Sequence, residues 1–376
     1  MLVNIKYKLV STTIKGYMSK AIPFNRKEIK LLISPKFFLV ILISTPSAIV
    51  AEYFNVPLAW MLGPMIAISI AALMGLKVVM PKLALSGILI ILGLYIGTYI
   101  DQNLINQMVN WIWTTIIMFF YILISIIIVS KYLQKFSSYN KKTAIFSAAP
   151  GALGPLLILA EHEKSDLSQV ATSHLIRLII IITVFPFIIV NYSNSDAIIL
   201  EKINYLDQNH FNLIILIIGS IILILLFEKI KVPAALLSGT LVASGILQIT
   251  DIASYKLPEF SINFCLLILG ASVGCRFAEK TIKEVANNTF HSFIATGLLV
   301  FLGLIAAYIA TFFVDNNFLT LVLSFCPGGI YEVAVIAIAF ELEPDFVAFH
   351  HIIRLLFILF TVPVILRIID KIKQER

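Results

Sequence analysis

Charge is what this 376-residue chain has least of, since Asp, Glu, Lys and Arg together make up 13% of it. An ordinary soluble domain carries roughly 25%. That shortage excludes a soluble enzyme and a nucleic-acid-binding domain of ordinary size. Cysteine is scarce as well. Cys265, Cys275 and Cys326 fall in or beside apolar stretches, with no CxxC or CxxH spacing, so neither a zinc site nor a disulfide framework is indicated. The six histidines form no set with Asp and Glu that would give three or four metal ligands at helical spacing. No cofactor and no enzymatic activity are therefore expected. What is abundant is apolar surface: 60% of the residues are hydrophobic and the mean hydropathy is +0.98. Residues 83–100 and 111–130 carry no charge at all, close to the ~20 residues that cross a bilayer. The expected fold is an all-α polytopic membrane protein whose first partner is the lipid bilayer.

The net charge of +7 does not call for a nucleic acid. The basic residues sit in short loops and at the termini, where Lys and Arg set membrane orientation. Eight of them are spread through residues 1–36, unlike a signal peptide with its short charged region and apolar core. That segment reads as a cytoplasmic tail.

The chain matches itself. Val56-Pro57 and Gly63 recur as Val232-Pro233 and Gly239 at an offset of 176, and further matches follow at 177. ILGLYIG (91–97) pairs with ILGASVG (268–274), Pro150-Gly151 with Pro327-Gly328, His174 and Arg177 with His351 and Arg354, and Pro186 with Pro363. Glycines, prolines, histidines and arginines would not align by chance in a greasy chain, so an internal duplication is inferred. The domains expected are a tail (1–36), repeat 1 (37–190), a linker (191–210), repeat 2 (211–370) and a short C-terminal tail (371–376). Each repeat holds six apolar segments. If all twelve cross, 20 of the 26 loop and tail Lys/Arg face the cytoplasm and 6 face outside. If the fifth segment of each repeat enters and leaves on one side, the split becomes 24 to 2. The positive-inside rule favours the second arrangement: about ten crossings, two re-entrant or broken Pro-Gly segments, an inverted repeat and both termini cytoplasmic.

Inverted repeats with paired Gly/Pro-interrupted segments are a recurring transporter architecture. The candidate substrate-binding residues follow from the breaks and their neighbours: Pro150, Gly151, His174 and Arg177 in the first half, and Pro327, Gly328, Gly329, Tyr331, Glu332, His351 and Arg354 in the second. Pro removes a donor and Gly weakens the helix, which frees backbone groups to serve as ligands. Each arginine lies three residues from its histidine on one helix face and needs a partner at that depth. Glu332 is the candidate counter-charge of Arg354, and Glu161 or Glu163 of Arg177. Gly93, Gly97, Gly270 and Gly274 read as close-packing positions, so Gly328→Leu is expected to damage function more than Gly270→Leu.

The motifs VPLAWMLGPM (56–65), ILGLYIG (91–97), SAAPGALGP (147–155) and HLIRL (174–178), with ILGASVG (268–274), SFCPGGIYE (324–332) and HIIRL (351–355), resemble the membrane AbrB duplication family. The resemblance covers nearly everything from 37 to 370. It implies a bacterial cytoplasmic-membrane protein connected with regulation of gene expression, some members bearing the name ammonia monooxygenase. The residues themselves supply no ligand set for a monooxygenase metal. The leading expectation is a transporter-like protein moving a small anion or organic solute. A membrane-embedded regulator or sensor that does not touch DNA is the alternative, and self-association is left open.

Overall fold

The computed structural model describes residues 26–100, 109–193 except 152, 210–253 except 231 and 233, and 255–374 except 256, 279 and 281. The expected tail up to residue 25 and most of the expected linker lie outside them. The described residues form fifteen helices and no strand. A short basic helix, α1 (Arg26–Leu32), leads into two successive sets of seven. The first set is α2 (Pro35–Tyr53), α3 (Ala59–Leu73), α4 (Lys82–Gly97), α5 (Trp111–Phe136), α6 (Lys141–Ala148), α7 (Leu153–His162) and α8 (Leu167–Ser193). The second is α9 (His210–Ile230), α10 (Ala235–Ile249), α11 (Glu259–Cys275), α12 (Ile282–Ala310), α13 (Phe318–Phe325), α14 (Ile330–Ala339) and α15 (Pro344–Gln374).

Six helices, α2, α5, α8, α9, α12 and α15, are long and apolar enough to cross a membrane. Helices α3, α4, α10 and α11 are apolar but only 15–17 residues long, about 22–25 Å at 1.5 Å per residue. Backbone detail recurs along with length. Leu58 and Ala234, which open α3 and α10, both sit in the left-handed region (φ 52° and 53°). So do Lys164 and Glu341, which follow α7 and α14 (φ 53° and 49°).

The apolar segments 144–160 and 318–340 are hairpins. Asn140 caps α6 by accepting from Thr143 N at 2.8 Å, and Asn317 caps α13 by accepting from Leu319 N at 2.9 Å. Lys142, at the start of α6, meets Glu163, just past α7, at 2.5 Å. Thr143 Oγ1 accepts from Asp166 N at 3.0 Å. The chain thus enters and leaves on one side. In the second half Asn316, before α13, donates to Glu343, after α14. A straight broken helix of this length would hold those ends some 30 Å apart.

The two sets run in opposite directions. At one end, Trp111 at the start of α5 packs on Phe346 and Phe349 at the start of α15, and Thr114 bonds His350 at 2.7 Å. At the other, Tyr139, just past α5, bonds Ser173 of α8 at 2.9 Å, and Ser173 reaches Ser292 of α12 at 3.1 Å. Helices α8 and α15 therefore begin at opposite ends, and so do the hairpins preceding them. Charge follows the same axis. Lys77, Lys82, Lys131, Lys135, Lys141, Lys142, Lys164, Arg276 and Lys280 lie toward the end where α8 begins, and Lys280 Nζ donates there to Ser168 Oγ at 2.9 Å. The opposite end holds Glu52, Asp251, Asp315, Glu341, Glu343 and Asp345, and none of the described Lys or Arg.

Helices α2–α4 and α9–α11 form one bundle in which the halves exchange partners, α3 against α11 and α4 against α10. Glycines make this possible, as a membrane interface without a hydrophobic driving force requires. A Cβ on Gly270 would lie 2.1 Å from Met61 O, and one on Gly97 would lie 2.3 Å from Ser244 Cβ. Helices α5–α8 and α12–α15 form a second bundle around the hairpins. Contact between the bundles runs mainly through α14, which meets α4 and α11, and α15, which meets α4. At the basic end, Glu28 of α1 accepts from Lys82 N at 2.8 Å and so caps α4.

Candidate functional site

Each hairpin stops in mid-protein, and its first arm leaves carbonyls without intrahelical partners. No water is at hand inside a bilayer to satisfy them. The neighbouring long helix supplies the donors. His174 Nε2 donates to Phe146 O at 2.9 Å, Arg177 Nη1 to Ala149 O at 2.6 Å, and Arg177 Nη2 to Ser147 O. In the second half His351 Nε2 donates to Leu323 O at 3.0 Å, Arg354 Nη1 to Cys326 O, and Arg354 Nη2 to Gly328 O at 2.6 Å. Phe146 and Ala149 precede His174 and Arg177 by 28 residues, and Leu323 and Cys326 precede His351 and Arg354 by the same number. The His-x-x-Arg pair is thus a clamp on the C-terminal end of a half-helix, where the backbone dipole favours a cation. In the second half the tautomer is set by geometry. With Nε2–H given to a carbonyl, His351 Nδ1 is free to accept from Arg354 Nη2 at 3.1 Å.

Two sequence expectations are corrected here. Glu332 does not face Arg354; its Oε1 lies 3.5 Å from Nη2 of Arg276, at the end of α11. Glu163 does not serve Arg177 but pairs with Lys142. No carboxylate among the described residues pairs with either arginine, although both are buried, 3% and 2% exposed. Arg177 lies ten residues into α8, about 15 Å deep, and its Nε has no hydrogen-bond partner.

The breaks also reach the opposite half. Gly151, at φ 116°, faces the guanidinium of Arg354, whose Nη2 and Nε would stand 3.2 and 3.4 Å from a Cβ there. Gly328 and Gly329 lie against Ile181 and Leu178 of α8. Pro150 and Pro327 are buried in the two bends. Ten of the eleven predicted residues therefore converge at the two breaks. Tyr331 is the exception: it packs into the seam beside Leu89, Ile224 and Leu236 of the other bundle. The sequence reading missed Tyr121, which stands within electrostatic reach of both arginines, and Arg276. It also missed Asn140 and Asn317, whose offset of 177 made them visible. No group of three His, Cys, Asp or Glu that could hold a metal is found among the described residues.

Paired hairpins inside a bundle of long apolar helices define a polytopic helical membrane protein with a polar centre. The profile of the family described as "Transition state regulatory protein AbrB" matches residues 60–370. The chain belongs to this AbrB family. It is 23% identical over 325 residues to the "Putative regulator AbrB" of Escherichia coli (strain K12), covering 86% of this chain and 93% of that protein. It is 21% identical over 363 residues to the "Uncharacterized protein YhjN" of Bacillus subtilis (strain 168), covering 89% and 94%. No solved structure matches the chain.

Proposed function

We propose that this protein is an inverted-repeat transporter of the bacterial cytoplasmic membrane that moves a small anion or organic solute past the two hairpin tips. One observation supports the reading above all. Two hairpins enter from opposite ends, break at Pro-Gly, and place two buried arginines at their tips without a carboxylate partner among the described residues. Transporters use such discontinuous segments, with half-helix ends aimed at substrate groups near the midplane. The sparse seam between the bundles gives alternating access a surface along which one body can rock against the other. A sensor that binds without flux is the second reading, favoured by the regulator name of the Escherichia coli relative. Proteoliposomes decide between them: solute-dependent flux or charge movement supports transport, and saturable binding with no flux overturns it.

Orientation is tested separately. The basic end faces the cytoplasm under the positive-inside rule. A cysteine replacing exposed Asp315 should react with an impermeant maleimide in intact cells, and one replacing exposed Lys164 only after permeabilisation. The reverse pattern would invert the assignment. Labelling of both in intact cells would place the hairpin mouths on one side and contradict the fold.

A further inference from the structure

We propose that α1 is a binding surface for the headgroup of an anionic phospholipid, with Arg26, Lys27 and Lys30 holding its phosphate while Ile29 and Ile33 enter the acyl layer. The proposal does not depend on what passes the hairpin tips.

Helix α1 has two faces. Glu28, Leu31 and Leu32 recur at a spacing of three and four residues and share one side; Glu28 is buried there and both leucines are half-buried. The Glu28 carboxylate accepts from Lys82 N at 2.8 Å and seats α1 against the start of α4, while α2 supplies the rest of the contact. Arg26, Lys27 and Lys30 take the other side. All three are exposed, and with Leu31 they line an open groove of about 400 Å³. The one acid of α1 is the buried Glu28, and among the described residues no carboxylate pairs with these cations. Lys36, Lys77 and Lys82 are exposed at the same end and add positive charge. An anion is the partner this surface fits.

The apolar residues say that the anion belongs to a lipid. Ile29 and Ile33 follow Arg26 and Lys30 by three residues and so flank the cations, at 43% and 83% exposure. The exposed apolar strip continues through Phe38 and Leu42 of α2, a helix long and apolar enough to span. Helix α1 therefore stands at the mouth of a span, at headgroup depth. Cations beside bulky apolar side chains at that depth are the pattern of helices that lie on anionic membranes. Each Lys or Arg near such a surface strengthens attachment about fivefold, and an arginine grips phosphate with a planar fork. A soluble phosphate would use the cations but leave both isoleucines in water. Because α1 rests on α2 and α4, the lipid holds the first bundle at its basic end.

The test is photocrosslinking of the purified full-length protein in phosphatidylcholine nanodiscs that contain headgroup-diazirine phosphatidylglycerol or, in parallel, headgroup-diazirine phosphatidylcholine. Adducts are mapped by peptide mass spectrometry. Labelling of residues 26–36 should be about tenfold stronger with phosphatidylglycerol. The triple variant Arg26→Gln, Lys27→Gln, Lys30→Gln should remove that preference. A control, Lys131→Gln, Lys135→Gln, Lys141→Gln, alters net charge equally at the same end and should keep it. Equal labelling by the two lipids in the parent, an undiminished preference in the folded triple variant, or the same loss in the control overturns the proposal. Displacement of phosphatidylglycerol by inorganic phosphate at constant ionic strength would make the occupant a soluble anion and overturn it too. Should the triple variant not fold, Lys27→Gln alone should lower the preference about fivefold, and an unchanged preference overturns the site.

Discussion

Arg354→Met should cost about 3–6 kcal/mol of stability, because two buried hydrogen bonds from a charged donor are lost at ~1.5–3 kcal/mol each. Cys326 O and Gly328 O would be stranded where no water replaces the guanidinium. Insertion scales would credit the loss of a membrane-centre cation with ~2.5–3.5 kcal/mol. That credit applies to an arginine facing lipid, whereas Arg354 is enclosed by acceptors. Arg354→Lys keeps the charge but cannot span both carbonyls with a planar fork, so roughly half the loss is expected. Arg177→Met should cost less, because only Ser147 O is stranded while Ala149 O keeps the N–H of Gly151. Thermal unfolding and proteolysis at the hairpin report it. An Arg354→Met protein as stable as the parent would show that the clamp contributes nothing. Combining Arg354→Glu with Glu332→Arg should recover no stability, since the two side chains do not pair. Recovery would restore the ion pair that the sequence suggested.

The twelve apolar segments and the two breaks were legible because both are written in residue type. Hydropathy marks a span, and Pro-Gly at matching offsets marks an interruption. The hairpin reading came from the loop-charge split applied to the Pro-Gly segments, and the Lys142–Glu163 contact places the mouth of α6 beside the exit of α7. The partners of the arginines were not legible. A carbonyl at a half-helix end leaves no mark in the sequence, so an acid four residues past Gly328 looked like the counter-charge. Helix α14 instead turns Glu332 toward Arg276, a residue 56 positions earlier that belongs to the other bundle. The exchange of partners between halves was equally hidden. Gly93 and Gly270 announce close packing but not against what, and only the fold sets Gly93 on Thr240 and Gly270 on Met61.

Gly270→Ala should destabilise the protein more than Gly328→Ala, an order of stability beside the order of functional damage read from the sequence. A Cβ at 270 would come within 2.1 Å of Met61 O and 3.0 Å of Met61 Cα. These are backbone atoms of α3, and no rotamer change relieves them. The helices must part, and overpacking of this kind costs ~1–3 kcal/mol or more. Alanine's better helix propensity returns at most ~1 kcal/mol, so the clash decides the sign. At 328 the nearest atom is the Cγ2 of Val333, at 2.4 Å, a side chain that can turn aside, and Gly328 is not among the residues with positive φ. Two glycines serve as controls. Gly87 and Gly297 have nothing within 4 Å of a Cβ, so alanine at either should stabilise by ~0.5–1 kcal/mol. Tm values of the four single variants in one detergent test the whole ordering. If Gly270→Ala rises with the controls, α3 and α11 are not in backbone contact, and the exchange of partners between the halves falls with it.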